Sequence, residues 1–235
     1  NNSLRVPFSA RRRLGSHRSR PRMKVLNLYA GIGGNRKLWD GVDVTAVEWD
    51  ERIAAIYQRQ HPGDEVVVGD AHQYLLDHSD EFDFIWSSPP CQSHSRMVKA
   101  GRNRTPRYPD MALYEEVIFL QHFFDGRWIV ENVQPYYDPL IPATRVGRHL
   151  FWSNFTLDVV DVPRPKGFIN QKDVSRDDLM DWLGIRFDER LTYDGNHCST
   201  QILRNAVHPK IGVQILDNAR GIPTERPDQL QFSQA

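Results

Sequence analysis

A doubly wound α/β sheet is the fold class this sequence predicts, on three observations. Short apolar runs alternate with amphipathic stretches over the first two-thirds of the chain. Each run ends in a small polar cluster, and near residue 156 the alternation gives way to prolines. Taken in order, Val25–Tyr29 reads as a strand, followed by a glycine-rich turn and a helix near Asn35–Leu38. Val44–Val47 reads as a second strand ending in Glu48-Trp49-Asp50. Glu51–Gln60 has helical spacing, with Ile53, Ile56 and Tyr57 on one face, and stops at His61-Pro62-Gly63. Val66–Val68 is a third strand closed by Gly69-Asp70, and Phe82–Trp86 a fourth that runs into Ser87-Ser88-Pro89-Pro90-Cys91. Met111–Phe124 reads as a helix and Arg127–Val130 as a fifth strand ending in Glu131-Asn132. Ligands of such sheets sit outside the carboxyl ends of the strands, where every one of these polar clusters falls.

The organisation divides into four segments. Residues 1–22 carry Arg5, Arg11, Arg12, Arg13, Arg18, Arg20 and Arg22 with no acid, and read as a disordered or expression-derived arm. The folded domain is expected to start at Met23 and to run to residue 155. Residues 156–200, broken by Pro163, Pro165 and Gly167 and holding one clear helix (Arg176–Leu183), are expected to form a small lobe. Residues 201–235 return to the core through an apolar stretch, Gln201–Ala219, that suits a helix, before a flexible tail.

Composition excludes several classes. With 40% hydrophobic and 26% charged residues the chain is ordinary globular material. No apolar run is long enough for a bilayer and no signal sequence opens the chain, so a cytoplasmic location and no membrane partner are expected. Two cysteines, Cys91 and Cys198, neither in a Cys-x-x-Cys pair, support neither a disulfide framework nor a zinc site, and no metal is expected. The formal charge is zero. With the seven arginines of the arm set aside, the 30 basic residues fall to 23 against 30 acidic ones, leaving −7. Against that negative background, Arg96, Lys99, Arg102, Arg104 and Arg107 form a basic stretch with no acid before Asp110, the place where phosphates should land.

The polar clusters carry a chemistry. Glycines in Tyr29-Ala30-Gly31-Ile32-Gly33-Gly34 let backbone approach a ligand closely. Glu48, at the next strand end, can accept from both hydroxyls of a ribose. Trp49 offers a flat face to a purine and Asp70 an acceptor for its amino group. Together they describe an adenosine-shaped site, for a dinucleotide or for S-adenosylmethionine. Cys91, stiffened by two preceding prolines, suits an exposed nucleophile, and Glu131 adds an acid. Isolated His94 and His208 read as structural.

Seven segments in order now resemble the DNA (cytosine-5) methyltransferase family over nearly all of Lys24–Leu216: Tyr29–Gly34, Glu48-Trp49, Asp70, Pro90-Cys91-Gln92, Glu131-Asn132-Val133, Arg145 to Arg148, and Asn205-Ala206-Val207. The resemblance implies a Rossmann-like S-adenosylmethionine-dependent methyltransferase fold with 156–200 as a small target-recognition lobe. It implies cofactor contacts from Tyr29, Gly31, Ile32, Gly33, Gly34, Glu48, Trp49, Asp70, Ala71, Pro90, Leu113 and Asn205. Cys91 would be the nucleophile, Glu131 the proton donor to ring nitrogen 3 and Arg148 a donor to the 2-oxo group, with Arg145 beside it. Double-stranded DNA would meet Gln92, Ser95, Arg96, Lys99, Arg102, Arg104 and Arg107, and the chain would act as a monomer in a prokaryotic or phage-infected cell, as in restriction-modification.

Three departures from the family pattern qualify this. Arg204 stands where Gly usually precedes Asn205, Arg145 and Arg148 are three apart rather than two, and a lobe this short implies a short or relaxed target. The rival readings are a tRNA-directed enzyme of the same chemistry and a catalytically silent DNA- or cofactor-binding module. A nicotinamide oxidoreductase would leave Cys91, Glu131 and Arg148 unexplained.

Overall fold

The computed structural model describes residues 22–96, 108–168, 174–192 and 198–224. Its strands are β1 (Met23–Leu28), β2 (Val42–Glu48), β3 (Glu65–Val68), β4 (Phe84–Ser87), β5 (Arg127–Val133), β6 (Thr144–Val146) and β7 (His149–Ser153). Its helices are α1 (Glu51–Gln60), α2 (Ala71–His78), α3 (Ala112–Phe123), α4 (Arg176–Leu183), α5 (Gln201–Asn205) and α6 (Pro209–Ala219). The strands form one sheet in the order β3-β2-β1-β4-β5-β7-β6, in which only the β5–β7 and β6–β7 pairings are antiparallel. The predicted α/β class is the observed one.

Both faces of the sheet are covered, which is why its central strands read as continuous apolar runs rather than alternating ones. On one face Val25, Val44, Phe84, Trp86, Ile129 and Phe151 pack with Ile211, Ile215 and Leu216 of α6. On the other, Leu26, Leu28, Ile85, Trp128 and Val130 pack with Leu75 of α2 and with Leu113, Tyr114, Val117 and Leu120 of α3. Each such side chain, fully buried, contributes about 1.5–3 kcal/mol.

Register sets the position of the site. Leu28 pairs with Val47 on one side and Ser87 on the other, and Ser87 pairs with Val130. The carboxyl ends of β1, β2 and β4 are therefore level, and Tyr29, Glu48 and Ser88 emerge beside Glu131 of β5, which runs on to Val133 paired with β7. The order of strands reverses direction at β1, between β2 and β4, the switch point at which open sheets bind ligands.

The structure differs from the sequence reading in three places. The helix expected near Asn35–Leu38 is a series of turns. Tertiary contacts hold it instead: the Trp39 indole donates to the Gly212 carbonyl at 3.0 Å, and the Arg36 guanidinium grips Asp64 with two bonds of 2.8 Å. The single helix expected over Gln201–Ala219 is two, because Ala206 turns extended and Pro209, which has no N–H, starts a new helix capped by His208. The described part of 156–200 shares its apolar cluster with the sheet domain: Leu179, Met180, Leu183, Ile185 and Phe187 pack on Ile32, Ile53, Ile56, Ile202 and Leu203. A serine–aspartate capping box and Gly184 at φ 63° delimit α4 as the sequence suggested. Among the described residues no helix is long and apolar enough to cross a membrane.

Candidate active site

A cavity of about 820 Å³ opens over the level strand ends. Tyr29, Gly31, Ile32, Gly34, Glu48, Trp49, Asp70, Ala71, Pro90, Cys91, Gln92, Glu131, Arg148 and Asn205, all singled out from sequence, line it together.

One half is built from turns. Tyr29 takes a left-handed backbone (φ 54°), rare for a bulky residue, and Gly31 and Gly33 follow at 57° and 77°. The Tyr29 hydroxyl is the anchor: it donates to Glu116 Oε1 at 2.6 Å, while Glu116, wholly buried on α3, accepts from the Ser87 hydroxyl at 2.5 Å and meets His72 Nδ1 at 3.1 Å. Burial and then the Glu116 charge hold the Tyr29 phenol well above its ordinary range, so it stays a donor. The Glu116 bond in turn raises the His72 pKa. Glu116 carried no signal in the sequence, where it is one acid in a helix.

Glu48 ties this turn to β2. Its Oε2 accepts from Gly31 N at 2.8 Å and its Oε1 from Asp50 N at 3.0 Å. Burial raises its pKa, and these backbone donors pull against that rise. Asp50 and Asp70 cap α1 and α2, so two helix N-termini face the cavity. Asp70 accepts from His72 N and Gln73 N through Oδ1. Trp49 stands on the rim, 75% exposed.

The other half is built from long-range side-chain contacts. Asn132, buried on β5, donates from Nδ2 to the Pro89 carbonyl at 3.0 Å, and the His94 and Ser95 amides donate to the Cys91 carbonyl at 3.1 and 3.0 Å. Cys91 is thereby clamped from both sides. Burial, then the Glu131 carboxylate, push its thiol up to about 11, while Arg148 acts in the opposite direction. Glu131 is buried, with His149 Nδ1 at 2.5 Å from its Oε1. Arg148 donates from Nε to His149 Nε2 at 3.2 Å and from Nη2 to the Arg204 carbonyl, and its guanidinium lies 5.2 Å from the centre of the Phe168 ring. Burial lowers its pKa and the Glu131 and Cys91 charges oppose that fall.

Several expected residues lie elsewhere. Gly33 points inward: a Cβ there would collide with the His61 ring. Leu113 is buried in the α3 cluster beneath the cavity. Arg145 is exposed on β6, donating from Nε to the Gly147 carbonyl at 2.9 Å. The physical reason is the two-residue turn Gly147-Arg148, with Gly147 at φ 57°, which aims Arg148 into the cavity and leaves Arg145 back on the strand. Arg204 does not reach toward the cavity. Its Nε donates to the Phe168 carbonyl at 2.7 Å and its Nη1 to the Thr200 hydroxyl, so the side chain supports the Phe168 region while the backbone carbonyl holds Arg148. Ser95 pairs with Pro135 and Arg96 Nε donates to the Pro135 carbonyl at 3.3 Å. Lys99, Arg102, Arg104 and Arg107 lie outside the described residues. His94 Nδ1 is 2.5 Å from the Tyr137 hydroxyl, and His208 caps α6, as structural histidines do. Among the described residues no cluster of three or more His, Cys, Asp or Glu side chains could hold a metal ion.

Residues 23–136 match the family model described as C-5 cytosine-specific DNA methylase. No curated protein matches the chain. Among solved structures, a mutant of Spodoptera frugiperda DNMT2 is 23% identical, with a TM-score of 0.37 over 50% of this chain and 38% of that one. The match thus spans well under half of the length of that protein. A hypothetical protein of Thermus thermophilus is 19% identical (TM-score 0.40, 68% of this chain and 94% of that one). A TehB-like SAM-dependent methyltransferase of Corynebacterium glutamicum is 21% identical (TM-score 0.33, 48% and 56%).

Proposed function

We propose that the chain methylates carbon 5 of a flipped-out cytosine in double-stranded DNA, a reading supported by the match of residues 23–136 to the C-5 cytosine-specific DNA methylase model. One observation carries the reading: Cys91, Glu131 and Arg148 converge on the cavity that also holds the Gly31 turn, Glu48 and Trp49. S-adenosylmethionine fits the second set. Gly31 has no atom within 4 Å of where a Cβ would stand, which leaves room for close backbone approach, and Glu48 and Trp49 offer an acceptor and a flat face. Bound there, the cofactor supplies the methyl group.

The chain's own residues do the rest. The target base must leave the stack, since its ring carbons are out of reach within a duplex. The Cys91 thiol gives its proton to solvent and the sulfur forms a bond to carbon 6, while the electron pair displaced through the ring is met by a proton from Glu131 at nitrogen 3. Arg148 donates to the 2-oxo group and holds the ring against Glu131. After carbon 5 has gained the methyl group it loses its proton to water, the sulfur–carbon bond breaks, the departing thiolate takes a proton back from solvent and the nitrogen 3 proton returns to Glu131. The resting thiol is neutral, and protonation of Glu131 removes a charge that keeps it so. The basic stretch from Arg96 to Arg107 is assigned to DNA phosphates, and residues 156–200 to reading a short target.

The test is transfer of labelled methyl groups from S-adenosylmethionine to duplex DNA, with tRNA as the competing acceptor. Transfer to DNA that Cys91→Ser abolishes supports the reading. Transfer to tRNA alone would replace the substrate, and transfer that survives Cys91→Ser would remove the covalent mechanism. Cofactor binding without any adduct on 5-fluorocytosine DNA would mark a silent module.

A further inference from the structure

His149 occupies a position that the mechanism above leaves unused. It begins β7, paired with Val133, and so lies diagonally across from Glu131 on the same face of the sheet. It is buried, and both ring nitrogens are engaged: Nε2 is 3.2 Å from Arg148 Nε, and Nδ1 is 2.5 Å from Glu131 Oε1. An arginine Nε carries a hydrogen and no lone pair, so it only donates. His149 Nε2 must then be the unprotonated nitrogen, and the ring's hydrogen sits on Nδ1, aimed at Glu131.

We propose that His149 is a positioning residue for the acid: by donating from Nδ1 to Glu131 Oε1 it confines the acid's transferable proton to Oε2, the oxygen left for the base. This rests on the proposed role of Glu131. Without His149 the carboxyl group would rotate, or place its proton on either oxygen, and a base lying in the cavity would meet an acceptor as often as a donor. The same ring joins the acid to Arg148. A continuous chain runs from the Arg204 carbonyl through the Arg148 guanidinium and the His149 ring to Glu131. The group that grips the base and the group that protonates it are thus set by one side chain.

Three substitutions separate positioning from simple core filling. Asparagine can present an N–H near the place of Nδ1, glutamine near that of Nε2, and phenylalanine keeps the ring shape with neither. His149→Phe is expected to lower kcat about 30- to 100-fold, within the range by which a misplaced general acid slows a reaction, with the KM for S-adenosylmethionine within about twofold. His149→Asn is expected to recover most of that loss, and His149→Gln little of it. Thermal melting identifies any variant that fails through folding. Wild-type kcat in His149→Phe, or an equal loss in a folded His149→Asn, would overturn the proposal.

A readout independent of turnover stands beside these. In ¹⁵N spectra of the resting protein, the His149 ring, assigned by its loss in His149→Phe, should show the Nδ1–H tautomer with an Nδ1 signal that moves in Glu131→Gln. An Nε2–H tautomer would also overturn it. A wild-type protein that methylates neither DNA nor tRNA would count against the function, and the tautomer would still decide the role of His149.

Discussion

The two halves of the cavity are built in opposite ways. The half around Gly31, Glu48 and Asp70 rests mainly on backbone: turns at three adjacent strand ends, held by bonds that span 2 to 17 residues between Glu48 or Asp70 and nearby amides, with the Tyr29–Glu116 bond as a long-range anchor beneath them. The half around Cys91 and Glu131 uses side chains drawn from distant segments. Asn132 reaches Pro89 across 43 residues, His149 reaches Glu131 across 18, and Arg148 reaches the Arg204 carbonyl across 56. A backbone-built pocket tolerates side-chain change and loses affinity gradually. A relay of side chains fails at any link and loses rate.

The largest break in that contrast is Glu131→Gln. Its amide cannot supply the nitrogen 3 proton, so kcat should fall by about 10²- to 10⁴-fold, while the binding of S-adenosylmethionine measured by calorimetry stays within about twofold. A comparable loss of cofactor binding would mean that the halves are not separable.

Next in size is the pH dependence of Cys91. Only the thiolate is alkylated, and with the thiol pushed up to about 11 the thiolate fraction grows with pH until that point. Iodoacetamide labelling of Cys91, read by peptide mass, should therefore rise about tenfold per pH unit between pH 8 and 10. Removing the Glu131 charge removes a contribution that raises the pKa, so Glu131→Gln should shift the curve to lower pH. A plateau near pH 8 in the wild-type protein would contradict the burial argument.

How much was legible in the sequence follows the same division. The strand ends were readable because buried parallel strands are apolar throughout and their ends are polar, so the sequence alone sets Glu48, Asp70, Cys91 and Glu131 at the carboxyl side of the sheet. The absent helix after Gly34 was not readable, because Asn35–Leu38 is shaped by distant partners of Trp39 and Arg36, Gly212 and Asp64, as well as by short-range turn bonds. Glu116 and His149 were invisible for a related reason. Glu116 matters only because α3 lies under Tyr29 and Ser87, and His149 only because the β5–β7 register brings it beside Glu131. Neither relation has a spacing signature. Arg204 looked like a departure at the cofactor, yet packing turns its side chain toward Phe168.

On the backbone-built side, Trp49→Ala should raise the KM for S-adenosylmethionine about fivefold to tenfold, corresponding to about 0.9–1.4 kcal/mol of lost aromatic stacking. Steady-state kinetics should show kcat unchanged, since Trp49 stands exposed on the rim and has no part in the steps proposed for Cys91, Glu131 and Arg148. A fall in kcat would place the ring in the reaction rather than beside it.

The smallest effect concerns the two arginines, which the sequence set side by side and the Gly147 turn separates. Arg145 is exposed and donates to its own turn, whereas Arg148 is half-buried between His149, Arg204 and Phe168. Arg145→Ala should therefore leave kcat and the KM for cofactor within about twofold, and change stability by no more than about 0.5 kcal/mol, as surface substitutions do. The same substitution at Arg148 removes the donor proposed for the base and leaves His149 Nε2 and the Arg204 carbonyl without it, so its loss should approach that of Glu131→Gln. Equal losses at the two positions would mean that Arg145 turns inward when nucleic acid binds, and the hairpin, not its tip alone, would then belong to the rate-setting half.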